Sequence, residues 1–299
     1  MTGISTTAAN PAIQASPPSP SQGYWPGVAR RLRRDKTTIV FGVMLLLMFA
    51  AILLASVLTS YDPSESDMLH RLMPIGFADH PLGTDELGRD MLTRLLYGGR
   101  ISWFIGITPV LVALALGGSL GIIAGFAGGG VNMLIMRITD VFFAFPSVLL
   151  AVAISGALGG GLFNIILSLT LVFMPPIIRV AETVTTSVRE LDYIEAARAT
   201  GAGSFTIVRV HVLPNVLGPI FVYATGLISV SMILAAGLSF LGIGTKPPDA
   251  EWGLMLNTLR GAIYTQPMLT MLPGFCIFLT SIGFNMVSDG LRTAMDVRA

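Results

Sequence analysis

Five long stretches of the chain carry no charged side chain: Thr37–Tyr61, Ile101–Met136, Val141–Ile178, Val210–Thr245 and Gly261–Ser288. A helix needs about 20 apolar residues to cross the hydrocarbon core of a bilayer, and each stretch is long enough. Only 12% of the 299 residues are charged and 53% are hydrophobic, with a mean hydropathy of +0.75. A soluble domain carries roughly a quarter charged residues, so most of this chain faces something other than water. The third stretch is too long for one span. It is divided by Ser155-Gly-Ala-Leu-Gly-Gly-Gly161, a cluster of helix breakers that suits a turn. Two helices, near 139–157 and 162–181, follow, and the expected architecture is an all-α polytopic membrane protein with six transmembrane helices.

Arginine and lysine placement orients it. Arg30, Arg31, Arg33, Arg34 and Lys36 directly precede the first span and put the N-terminus in the cytoplasm; six crossings return the C-terminus there. On that topology the inner segments also hold Arg137, Arg179, Arg189, Arg198, Arg209, Arg292 and Arg298, against Arg71, Arg89, Arg94, Arg100, Lys246 and Arg260 outside. The first apolar run exceeds the core of a secretory signal and reads as an uncleaved helix over 38–60. Before it, residues 1–29 hold no charge and are rich in Ser, Thr, Ala and Pro. The segment 1–37 reads as a disordered cytoplasmic tail with a basic flank. An outer loop with an amphipathic helix occupies 61–100, and a core of five helices occupies 101–299. The net charge of +1 gives no field for nucleic acid, and Cys276, the only cysteine, reads as a small packing residue.

Several motifs exclude chemistry. Gly117-Gly-Ser-Leu-Gly121 matches a hydrolase nucleophile pattern but lies within a span; Gly117, Gly121, Gly125 and Gly129 recur every four residues and suit close helix packing. His70, His80 and His211 have no metal-binding spacing, and neither Lys36 nor Lys246 completes a phosphate-binding loop. Pro175-Pro176 removes two backbone donors inside the fourth span and is expected to bend it. Asp140, Asn164, Ser168, Asn285 and Asp289 are the few polar groups in or near spans; pairing of Asp140 or Asp289 with Arg137, Arg179 or Arg292 is the economical arrangement.

Two aqueous segments stand out. In the outer loop Gly83 suits a turn, and Thr84 or Asp85 is expected to cap an amphipathic helix running to Tyr97. On the cytoplasmic side, residues 181–214 are long for a chain that otherwise minimises its aqueous mass. Good helix formers run to Thr200, Gly201 suits a left-handed C-cap, Ser204 suits the cap of a second short helix, and Pro214 ends it before span five. A helix–turn–helix on the cytoplasmic face is the expectation.

Within this loop Glu195-Ala196-Ala197, then Gly201, then Leu213-Pro214, resembles the EAA motif of binding-protein-dependent ABC-importer permeases. Every spacing is kept, with His211 where the general motif has Ile; that His is common in the peptide/nickel/opine subfamily. His80–Asp90, Leu238–Gly244 with Pro247-Pro248 and Trp252-Gly253, and Asn285–Arg292 are similar to the same subfamily, and residues 38–298 are covered. The first helix with its long loop resembles the C-type subunit of di- and oligopeptide importers.

The resemblance implies a type I ABC-importer permease fold in the bacterial inner membrane. It implies a homologous permease as heterodimer partner, cytoplasmic ATPase subunits that bind ATP and Mg, an extracytoplasmic solute-binding protein, and surrounding lipid. No cofactor, metal or catalytic residue is implied for this chain. Glu195, Ala196, Ala197, Gly201, His211, Leu213 and Pro214 would form the ATPase-coupling element, with Glu195 stabilising the loop by local charge or hydrogen bonds. Asp85, Arg89, Asp90 and Trp252 would serve an outer gate or a partner contact. Import of di- or oligopeptides is the leading expectation. Nickel or another small solute is the alternative, and a stand-alone secondary transporter is the rival of a different class.

Overall fold

The charge-free stretches fold into helices, most of them long and continuous. The computed structural model describes residues 24–295. In chain order the helices are α1 (Tyr24–Leu32), α2 (Lys36–Leu53), α3 (Ala55–Leu58), α4 (Met91–Ala127), α5 (Gly129–Phe143), α6 (Ser147–Leu158), α7 (Leu162–Arg189), α8 (Asp192–Ala199), α9 (Ser204–Ile207), α10 (Leu213–Phe240), α11 (Trp252–Thr258) and α12 (Pro267–Met295). Among the described residues there is no strand, only two isolated bridges in the 61–90 segment. Five continuous helices are long and apolar enough to cross a membrane: Lys36–Leu53, Met91–Ala127, Leu162–Arg189, Ser204–Phe240 and Pro267–Met295.

The sixth crossing is α5 with α6, which meet at 87°. The break falls at Ala144-Phe145-Pro146, where the proline has no N–H to donate and pushes the residue before it out of helical conformation. The expected single helix over 139–157 is therefore two. Pro175-Pro176, by contrast, lie inside α7 without dividing it.

Contacts between spans settle the directions. Gly117 of α4 faces Met174 and Ile178 of α7, Gly121 faces Ile178 and Ala181, and Gly125 faces Glu182 and Thr185, so α4 and α7 run parallel. Two parallel spans need a return crossing between them, and the only chain available is α5–α6. Gly106 packs on Met232 and Gly118 near Ile220, which makes α10 antiparallel to α4. Gly283 on Leu45 and Gly290 on Thr38 set α12 antiparallel to α2. The result is six crossings, with residues 36, 127, 190–203 and 295 on one face and residues 53, 91, 162, 240 and 267 on the opposite one.

The α4–α7 seam is the most extensive contact between helices. A Cβ at Gly125 would lie 2.6 Å from Glu182 O, and one at Gly121 would collide with Ile178 O. Gly129, the fourth member of the expected stripe, lies beyond the end of α4 and meets nothing within 4 Å. Its place in the pattern is a coincidence of spacing.

Two expectations at the N-terminal side change. Most of the expected disordered tail, residues 1–23, lies outside the described residues, but 24–32 form α1. Val28 is buried as α1 packs on α12, giving this stretch an apolar anchor. Asp35 then caps α2, accepting from Thr37 N at 3.1 Å. In the outer loop the separate amphipathic helix is absent. Asp90, not Thr84 or Asp85, is the N-cap, accepting from Thr93 N at 2.7 Å, and α4 runs from there straight through the second span.

Gly125→Val should lower the thermal midpoint of the detergent-purified protein by the equivalent of about 1–3 kcal/mol, because the seam cannot admit the added methyls. Gly130→Ala, at a site with nothing within 4 Å, should stay within about 0.5 kcal/mol of wild type. Equal midpoints for the two variants would remove the seam from this account.

Candidate functional site

The segment between α7 and α10 shows how the EAA residues are held. α7 ends at Arg189, and α8 starts after Leu191. Its C-terminus closes in the double bond expected of a glycine cap: Ala202 N donates to Ala197 O at 3.1 Å and Gly201 N to Arg198 O at 3.0 Å. Gly201 has φ +85°, a conformation costly to any residue with a Cβ. Ala197 and Ala202 pack on the core at this turn, and Ile194 is fully buried beneath α8. Ala196 and Glu195 face outward, and among the described residues the Glu195 side chain makes no hydrogen bond or ion pair. Glu195 thus does not stabilise the loop as expected; Ile194 and the glycine cap do, because apolar burial is available there and a carboxylate partner is not.

The second half differs more. Ser204 is the first helical residue and Gly203 the cap, with no side-chain bond. Pro214 does not end a helix. A π-helical turn over Val208–Val212 widens the backbone ahead of it, with Leu213 N donating to Val208 O, five residues back, and the helix continues to Phe240. His211, Leu213 and Pro214 therefore belong to the root of a span. His211 faces Tyr193 of α8 with ring centroids 6.1 Å apart. Asn215 donates to His211 O at 2.6 Å and to the Tyr193 hydroxyl at 3.3 Å. These contacts bind α8 to α10. Tyr193, Ile194 and Asn215 were not singled out by motif reading; the aromatic and amide flanking the EAA residues were the available signal.

On the opposite face the outer candidates converge. Asp85, Arg89, Asp90 and Trp252 are 2%, 4%, 3% and 1% exposed, so their side chains are spent within this chain. Asp85 Oδ2 accepts from Arg89 Nε at 2.6 Å and lies 3.1 Å from Arg94 Nε, while its Oδ1 accepts from the Leu87 and Arg89 amides. Arg94 reaches Pro63 O at 2.8 Å and Asp249 O at 3.2 Å, joining the 61–90 segment to the 241–251 loop. Trp252 Nε1 donates to Leu95 O at 2.9 Å. Asp85 and Arg89 through Arg94, Asp90 as the cap of α4, and Trp252 through Leu95 O form a clasp around the start of α4, and these buried side chains offer no free surface to a partner.

Glu251 closes the clasp. It caps α11, accepting from Gly253 N and Leu254 N at 2.8 Å each, and from Ser102 Oγ at 3.2 Å. Burial pushes its carboxyl above the ordinary value of 4.5, opposed by those hydrogen bonds.

Asp140, Asn164 and Ser168 near the spans are likewise used structurally. Arg179 pairs with Asp140, Asn164 caps the end of α6 through Leu158 O and Gly159 O, and Ser168 bonds Ser155 at 2.9 Å. Asn285 and Asp289 are exposed on α12.

Asp85→Ala should cost about 3–5 kcal/mol, since it removes the anion shared by the buried Arg89 and Arg94 and leaves only Glu86 beside Arg89, and should expose residues 61–90 to protease. A midpoint unchanged from wild type would discount the clasp. Because folding raises the Glu251 pKa, the stability tied to it is complete below pH 4.5 and falls as pH rises through the raised value. Glu251→Gln should flatten that decline in the thermal midpoint from acid to neutral pH; an unaltered slope would assign the decline elsewhere.

Comparison with known proteins places this architecture. A family model described as binding-protein-dependent transport system inner membrane component matches residues 117–299, and one described as the N-terminal TM domain of oligopeptide transport permease C matches residues 23–74. The chain is 40% identical over 301 residues to the dipeptide transport system permease protein of Alkalihalophilus pseudofirmus, covering 98% of each. It is 39% identical over 278 residues to the glutathione transport system permease protein of Pectobacterium atrosepticum, covering 93% of this chain and 91% of that one. Among solved structures, an inward-facing MetNI methionine ABC transporter aligns with a TM-score of 0.55 at 20% identity, covering 68% of this chain and 97% of that chain; this is a likeness of fold.

Proposed function

The chain belongs to the binding-protein-dependent transport system inner membrane components, and on that premise we propose that it forms half of the translocation pathway of an ATP-driven peptide importer. The observation that carries this reading is the 190–203 loop. A short helix, anchored underneath by Ile194 and ended by a left-handed glycine turn, projects Glu195 and Ala196 from the face that also bears both described ends of the chain. That face carries Arg30, Arg31, Arg33, Arg34 and Lys36, so the positive-inside rule makes it cytoplasmic.

A permease without a phosphate-binding loop takes its work mechanically. The rigid α8 unit, tied to α10 through Tyr193, His211 and Asn215, is suited to fit a groove on an ATPase and to transmit its motion. ATP and Mg are held by those ATPase subunits, and this chain supplies no catalytic group. A related permease completes the pathway as heterodimer partner, and a solute-binding protein delivers substrate to the opposite face. Peptide import is supported by relatives named for dipeptide, di/tripeptide and glutathione transport at 39–40% identity. The clasp of Asp85, Arg89, Asp90 and Trp252 is the fixed footing of the outer gate.

The test is uptake of a labelled dipeptide into proteoliposomes holding the permease pair, its ATPases and its binding protein. Uptake should require ATP. Gly201→Asp should leave membrane insertion intact and lower uptake on the order of tenfold, through strain at a left-handed position. Uptake driven by an ion gradient without ATPase subunits would favour a secondary transporter, and full uptake by Gly201→Asp would discount the loop.

A further inference from the structure

The corner between α4 and α5 lies near α8 of the 190–203 loop, through the Arg198–Phe126 contact. α4 ends at Ala127 and α5 starts at Gly129, so one residue joins a continuous span to the broken one. Gly128 and Gly129 both have left-handed φ, +66° and +51°, which lets the chain turn without a loop. Side chains from α7 and α8 converge there. The Arg198 guanidinium of α8 lies 5.6 Å from the centroid of the Phe126 ring. Arg189 Nη1 reaches Phe126 O at 3.5 Å, and Glu182 Oε1 accepts from Asn132 Nδ2 in α5 at 2.7 Å.

The glycine seam holds α4 and α7 together, so a push that travels only along α7 moves both as one body. α5 is held to α7 by Asn132 on Glu182 near its start and by Asp140 with Arg179 near its end, and Thr139 is its one buried residue. Its length is about 22 Å, so a tilt of about 5° at the corner carries its far end about 2 Å. That far end is the break at 144–146, where Arg179 pairs with Asp140 and stacks 5.0 Å from the Phe143 ring. A cavity of about 240 Å³ opens there between α5, α6, α7 and α10, lined in part by Phe142, Phe145, Phe173 and Tyr223.

We propose that Phe126 is a positioning residue that takes up the displacement of α8 through Arg198 and passes it across the Gly128 corner into α5, re-shaping the cavity at the break. The α8–Phe126 contact is a cation–π pair on the aqueous rim, strong enough to transmit a displacement and weak enough to be reset each cycle. The inference rests on the ATP-driven reading for its consequence in transport, but not for the mechanical link itself.

Two measurements on the assembled complex test it. The first is dipeptide uptake per ATP hydrolysed in proteoliposomes. Phe126→Leu should lower that ratio about fivefold, the equivalent of losing one such pair, with ATP hydrolysis unchanged. Phe126→Tyr should restore it, and adding Arg198→Ala to Phe126→Leu should lower it no further. A wild-type ratio in Phe126→Leu, or losses that multiply in the double variant, would overturn the link. The second is the distance between spin labels at Thr200 and Leu134 in the resting complex, which stands whether or not transport uses ATP. Phe126→Leu should broaden that distribution while Phe126→Tyr keeps it narrow; equal widths in all three proteins would also overturn it.

Discussion

The near-contact of the α4 and α7 backbones governs the rest of the architecture. Apolar side chains gain little by leaving lipid for a helix–helix interface, so association inside a membrane depends on close van der Waals packing. Gly117, Gly121 and Gly125 provide it by letting α7 carbonyls approach where a Cβ would stand. Because the two helices run parallel, the intervening chain must recross the membrane between them. It does so as the one broken span, which is sparsely buried and carries Pro146 at its bend.

The scarce charges are used at the two ends of this rigid pair. On the opposite face Asp85, Arg89 and Arg94 are buried together and fasten the 61–90 segment to the 241–251 loop. Such a cluster costs desolvation and is strongly destabilising to break, which suits a part that must hold one geometry. On the face that bears both described chain ends the charges of α8 are exposed, and the helix is held from below by Ile194 and from the side by Tyr193 with His211. One face is locked and the other presents a surface. That asymmetry supports the reading proposed above, in which the chain is driven from the side of α8.

Much of this was legible in the residues. The charge-free stretches gave the crossings, the Gly117–Gly125 spacing gave a packing face, and the EAA spacing gave both the family and the glycine-capped turn at Gly201. What was misread had a common cause: local signals were weighed without their neighbours. Ser204 and Pro214 look like helix boundaries, yet a π turn carries the helix through them. Thr84 and Asp85 look like caps, yet Asp85 is committed to Arg89 and Arg94, and the cap falls to Asp90. Pro175-Pro176 look more disruptive than Pro146, yet α7 is supported along the seam by α4 while the chain at 144–146 has no such support.

The sequence by itself determined that this protein lives in a membrane, how many crossings its charge-free stretches supply and where the glycine-capped turn at Gly201 falls. Those properties follow from hydropathy, charge placement and backbone conformational preference, all of which act within a few residues. Only the tertiary structure decided which polar groups are buried with which, where the broken crossing bends, and that Phe126 meets Arg198 across 72 positions of chain. Such pairings depend on which helix faces lie together, and in a chain of parallel and antiparallel spans that is set by packing between distant segments.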